Sequence, residues 1–112
     1  MNDTSKHLIA FSHLLAKDHV AGSLNFRELQ IIALVNAWSK TPLSVGGIAE
    51  ALNISSPAIS RHVQKLVSRG LLQRDAIDSD RRLVLLNVTA AGRALDERVK
   101  KHYATSAPAA AA

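Results

Sequence analysis

The chain has 112 residues, 47% of them apolar but only four aromatic, which suits one small domain with a modest core of Leu, Ile, Val and Ala. It has no cysteine, which excludes a disulfide framework, thiolate zinc sites and cysteine-based redox sensing. The net charge of +5 is one-sided: Met1 to Ile54 holds four basic and four acidic residues, whereas Ser55 onward holds ten basic against five acidic. Such a surface suits a polyanion, although a basic face can also serve solubility alone.

Lys6, His7, Ser12 and His13 interrupt any apolar run at the N-terminus, so no signal peptide is read there. No stretch reaches transmembrane length, and a cytoplasmic protein without membrane contact is expected. Leu8, Phe11, Leu14, Leu15 and Ala16 recur at spacings of three and four and predict a first helix over 5–21, capped by Asp3 or Ser5 and ended by Gly22. A second helix is predicted over 25–38. Asn25 and Glu28 are spaced as a capping box, and Phe26, Leu29, Ile32, Ala33 and Trp38 are expected to face the core.

Pro42 marks a loop, and Ser44 is placed to cap a third helix over 45–52. Gly46 and Gly47 in its first turn cost roughly 1 kcal/mol each against Ala. They either permit a close approach or are simply tolerated, and tolerance is the favoured reading. Asn53 suits a left-handed turn residue. Ser55 is placed to cap a fourth helix over 56–69, with Pro57 in the first turn, where its missing N–H costs nothing. Gly70 stops it.

Leu71–Arg74 and Leu83–Val88 read as β-type runs flanking a polar hairpin tip, DAIDSDRR. Thr89 is placed to cap a fifth helix over 90–104, with Ala91, Leu95, Val99 and Tyr103 as a narrow apolar seam. The remainder, 105–112, is an Ala-rich tail expected to fray. The fold class is therefore mainly α with a small antiparallel β-wing.

The third and fourth helices with their short turn have the form of a helix-turn-helix unit. Ala49 allows close crossing, and Ile48, Leu52, Ile54 and Ile59 supply the contacts that set the angle. The fourth helix divides by face. Ile59, Val63, Leu66 and Val67 point to the core. Pro57, Ser60, Arg61, Gln64, Lys65 and Ser68 form an outer side that is polar, basic and free of carboxylates. Arg commonly reads guanine, and Gln reads adenine. At the hairpin tip, Arg81 and Arg82 follow Asp78 and Asp80. An Arg on a thin wing suits a minor groove, and a carboxylate can orient it. The bland reading is a surface ion pair of little worth.

At this point the sequence resembles the multiple-antibiotic-resistance-regulator (MarR) family of winged helix-turn-helix transcription factors. The resemblance spans roughly residues 24–92 and rests on LNFRELQIIALV, IAEALNISSPAISRHVQKLVSRGLL and DSDRRLVLLNVTAAG. It implies a DNA-binding domain with Ser60, Arg61 and Gln64 in the major groove, and Arg82 in the minor groove supported by Asp80. Ser56, Pro57, Lys65, Arg69 and Arg81 complete the candidate DNA contacts. The wing departs from the family where Ile77 and Asp78 replace a usual Asp-Pro. The short first and fifth helices leave the usual dimer platform missing or minimal. A homodimer through helices 5–21 and 90–104 is one option under the resemblance and a monomer the other, and no residue pattern supports a small-molecule effector.

His7, His13 and His19 are six apart and fall on different helix faces, so no metal site is read. No nucleophile–base–acid set, P-loop or dinucleotide-binding glycine pattern is present, so neither an enzyme nor a cofactor is expected. The leading functional expectation is a sequence-specific double-stranded-DNA-binding regulator, most simply a repressor. The alternatives are a winged-helix protein-interaction module and an architectural DNA binder with little sequence preference.

Overall fold

Asn2 opens the first helix: its Oδ1 accepts from the Ser5 N–H at 2.8 Å, so the cap is Asn2 rather than Asp3 or Ser5. The structure, a computed structural model, describes residues 2–78 and 83–107. Helix α1 spans Asp3–Lys17, ending four residues before the expected boundary. Asp18 leaves the helix with extended backbone, and its carboxylate accepts from the N–H groups of Val20 and Ala21 at 3.2 and 3.1 Å. That capping starts a short 3-10 turn at Ala21–Ser23.

Helix α2 spans Phe26–Ala37 and carries both halves of the capping box between Asn25 and Glu28. Its buried face differs from expectation. Glu28, Ile31, Ile32 and Val35 are buried at i, i+3, i+4 and i+7, whereas Phe26 and Trp38 are 65% and 50% exposed and Ala33 is also exposed. Counting apolar residues alone hides a stripe whose first member is a glutamate. Trp38 lies beyond the last helical residue, with φ −101°, so helical spacing does not carry it inward.

Helix α3 spans Val45–Leu52, with Ser44 Oγ accepting from the Gly47 N–H at 3.1 Å. A Cβ at Gly46 would meet nothing nearer than Ser44 Oγ at 3.8 Å, which supports tolerance over a required close approach. Asn53 adopts the left-handed conformation (φ 54°), as its side-chain type allows. Helix α4 spans Ser56–Ser68. Ser55 occupies the N-cap position, but its side chain makes no capping bond; Pro57 removes one of the N–H groups that would need one. Gly70, at φ 72°, ends the helix as expected.

Strands β1 (Leu72–Asp78) and β2 (Leu83–Val88) pair antiparallel, with a register shift between Arg74 and Ala76. Asp75 to Asp78, expected in the hairpin tip, therefore belong to strand β1; backbone pairing continues through the bulge and carries the ladder farther. The Leu86 N–H donates to the Leu43 carbonyl at 2.9 Å, which ties the wing to the loop before α3. Helix α5 spans Ala90–Ser106, two residues beyond the expected end. No described helix is long and apolar enough to cross a membrane.

Ile31, Ile48, Ile59, Leu66, Leu72, Leu86 and Leu95 are fully buried, so α2 to α5 and both strands share one core. Of the expected α5 seam only Leu95 is fully buried; Val99 packs at the edge, and Tyr103 is 55% exposed. Tyr103 instead stacks edge-on to Phe11 of α1, with ring centroids 5.2 Å apart. Leu15 alone of α1 is buried, and Leu8, at the head of the same stripe, is exposed.

The joint between α4, the wing and α5 is built on Thr89 and Gly92. Thr89 Oγ1 accepts from the Gly92 N–H at 3.0 Å and donates to the Gly70 carbonyl, while the Thr89 N–H donates to the Leu71 carbonyl at 3.2 Å. Gly92 packs directly on that carbonyl: an added Cβ would overlap its oxygen and stand 3.0 Å from its carbon.

Candidate nucleic-acid interface

The fourth helix separates its residues by how each is held. Ile59, Val63 and Leu66 are buried, as the spacing predicts. Ser56, Pro57, Ser60, Arg61, Gln64 and Ser68 are exposed on the opposite side. No carboxylate occurs anywhere on α4, so this surface presents hydroxyl, amide and guanidinium groups without an intrinsic anion. Ser55 and Pro57 at the helix start add the positive end of the helix dipole to the same surface.

One flank of α4 is different. His62, Lys65 and Arg69 lie three to four residues apart and share a side of the helix. All three bond back to the segment before and within α2. Lys65 Nζ stands 2.9 Å from Glu28 Oε1, and His62 Nδ1 stands 3.4 Å from Glu28 Oε2. Arg69 Nη1 donates to Ser23 Oγ at 2.9 Å. Lys65 and Arg69, expected among the DNA contacts, thus have partners inside the chain. His62 is partly buried and faces a carboxylate. Asp80, Arg81 and Arg82 at the wing tip lie outside the described residues.

Glu28 is only 1% exposed. Burial pushes its carboxyl up, but the bonds from Lys65, the Asn25 N–H and His62 outweigh that, and the group titrates below its ordinary value. A parallel cluster joins α1 to α5. Asp18 Oδ2 takes Arg98 Nε at 3.0 Å and His102 Nε2 at 3.1 Å, so two basic side chains of α5 converge on one carboxylate. There too burial pushes the carboxyl up, and the bonds from Arg98, the Ala21 N–H and His102 hold it well below the usual range. Neither carboxylate was singled out as a partner for these cations, because the pairs are separated by 34 to 84 residues in sequence.

Both shifts are depressions, so the stability they contribute is present above the unfolded carboxyl values and is lost as pH falls through the folded ones. The thermal midpoint is expected to hold between about pH 7 and 5 and to fall below about pH 4. Calorimetry across that range checks this, with Glu28→Gln expected to lose part of the fall. An identical pH profile for the variant would contradict the assignment.

The described elements define a winged helix-turn-helix protein: α2 to α5 share one core, α3 and α4 form the helix-turn-helix with one side of α4 exposed, and a two-stranded wing follows it. The MarR family's sequence profile matches residues 26–84, more than half of the chain, and the chain belongs to that family. The family is one of transcriptional regulators and not of enzymes. The chain is similar to the organic hydroperoxide resistance transcriptional regulator of Bacillus subtilis, with 28% identity over 93 residues. That match covers 81% of this chain but 63% of the relative, so the chain spans less than two thirds of that protein's length.

Among solved structures, a Staphylococcus aureus MepR mutant bound to an oligodeoxyribonucleotide superposes with a TM-score of 0.79 at 18% identity, covering 91% of this chain and 71% of that one. Streptococcus pneumoniae FabT in complex with DNA superposes at 0.72 and 17% identity, covering 91% and 68%. These likenesses establish the shared fold.

Proposed function

We propose that this protein is a sequence-specific double-stranded-DNA-binding transcriptional regulator that acts as a repressor. The observation that carries the proposal is the exposed, carboxylate-free outer face of α4, set directly opposite its buried Ile59–Val63–Leu66 side. An α-helix fits the major groove, and Ser60, Arg61 and Gln64 are the side chains to meet base edges there, with Ser56 and Pro57 near the backbone. Arg82, oriented by Asp80, is assigned to the minor groove on the strength of the wing motif. The MepR and FabT structures bound to DNA support the same use of the fold.

The reader acts in pairs in this account. Helices α1 and α5 pack together and leave Leu8, Ile9 and Tyr103 exposed, which suits a homodimer through these two helices. Two-fold symmetry then places two reading helices on half-sites about one turn of DNA apart. Selection of duplexes from a random pool by the full chain is expected to enrich inverted repeats with that spacing. Enrichment of single half-sites would remove the dimer. Binding without enrichment would favour an architectural role, and no binding at all would favour a protein-interaction module.

A further inference from the structure

We infer that Glu28 is a positioning residue for DNA reading: it fixes the rotation of α4 about its axis, with His62 and Lys65 serving as its clamp. The inference rests on the DNA-binding function proposed above. Helix α4 meets the body mainly through Ile59, Val63 and Leu66, and apolar contacts are not directional. A helix held by such a stripe alone can roll slightly without losing burial. Base reading does not tolerate that, because a site must be held within about 0.5 Å of its productive geometry.

Among the described residues, the side-chain bonds from α4 to the body lie on one flank. Both carboxylate oxygens of Glu28 are engaged there, Oε1 by Lys65 Nζ at 2.9 Å and the Asn25 N–H at 3.1 Å, Oε2 by His62 Nδ1 at 3.4 Å. Glu28 is itself immobilised by burial and by the capping box, so it is a fixed anchor. Arg69 on Ser23 adds a third bond on the same flank, one turn farther along. The clamp leaves Ser60, Arg61, Gln64 and Ser68 facing solvent. It also accounts for Lys65: the ammonium is held by an anion of the chain itself, and its charge is compensated before any phosphate approaches.

The readout is the ratio of affinity for a selected duplex to affinity for a random-sequence duplex, with the salt slope measured on both. Glu28→Gln keeps a capping-competent side chain and removes the charge. It is expected to lower the ratio by about tenfold, with no loss of affinity for the random duplex. Lys65→Met is expected to lower the ratio as well and to leave the salt slope on the selected duplex unchanged. A phosphate contact would instead weaken both duplexes alike and reduce the slope by about 0.9. A merely structural role would reduce the active fraction and leave the ratio untouched.

An unchanged ratio in Glu28→Gln, or a slope reduced by about one in Lys65→Met, overturns the positioning role. If circular dichroism shows Glu28→Gln unfolded, the partly exposed Lys65→Met decides by the same two readings. Failure of the unmodified chain to enrich any duplex would sink the DNA-binding proposal itself, and that outcome is visible before any variant is made.

Discussion

Gly92→Ala is expected to unfold the protein or lower its thermal midpoint severely, although the glycine sits in the first turn of a helix. Propensity alone predicts the reverse, since Ala is favoured over Gly by about 1 kcal/mol within a helix. The close approach to Leu71 decides the sign. The added methyl would overlap a backbone carbonyl oxygen, which cannot move aside as a flexible side chain would. That carbonyl already accepts from the Thr89 N–H at 3.2 Å, and Thr89 in turn bridges to Gly70. Displacing α5 would therefore disturb the joint that sets α4 against the wing.

Overpacking costs about 1–3 kcal/mol, occasionally more, and an unyielding backbone neighbour places Gly92→Ala at about 3 kcal/mol, the upper end. For a domain of this size that is a fall of about 10–20 °C in the midpoint. Gly46→Ala is the matched control, because its Cβ would meet only open space and a hydroxyl 3.8 Å away. Scanning calorimetry of both variants checks the claim, and equal midpoints would contradict it.

Arg61→Ala is expected to reduce affinity for a selected duplex by about tenfold to a hundredfold, the range for a lost bidentate base contact. Arg61 is exposed, lies on the face opposite Ile59, Val63 and Leu66, and has no hydrogen-bond partner among the described residues. Removing it should leave the fold intact. The contrast with Lys65, one turn along the same helix, is instructive. Both are cations on α4, but Lys65 is already neutralised by Glu28 at 2.9 Å.

The helix-turn-helix was legible because its requirements are local. Asn53 for a left-handed turn, Pro57 at a helix start, Gly70 at a helix end and the Ile59–Val63–Leu66 stripe are each read within a few residues, and all four hold. The outer face of α4 was legible for the same reason, Lys65 excepted. What escaped was long-range. Lys65 looks like a surface residue until Glu28 is brought beside it from 37 positions away, and no local pattern pairs His62 with the same carboxylate 34 positions off. The inward face of α2 was misplaced because one of its four members is charged, and a buried Glu is recognised only through the cations that compensate it. Trp38 looked like a core anchor by size, but the helix ends one residue before it and leaves it half exposed.

The division of α4 into a DNA-facing outer side, as proposed above, and a flank spent on the clamp is open to a single titration: the unmodified chain and Arg61→Ala against one selected duplex over a series of salt concentrations. Affinity of the unmodified chain is expected to fall steeply with salt, with a slope of about −0.9 for each phosphate neutralised, and Arg61→Ala to bind at least about tenfold more weakly across the series. A flat salt response, or equal affinities of the two proteins with intact circular dichroism, would contradict it.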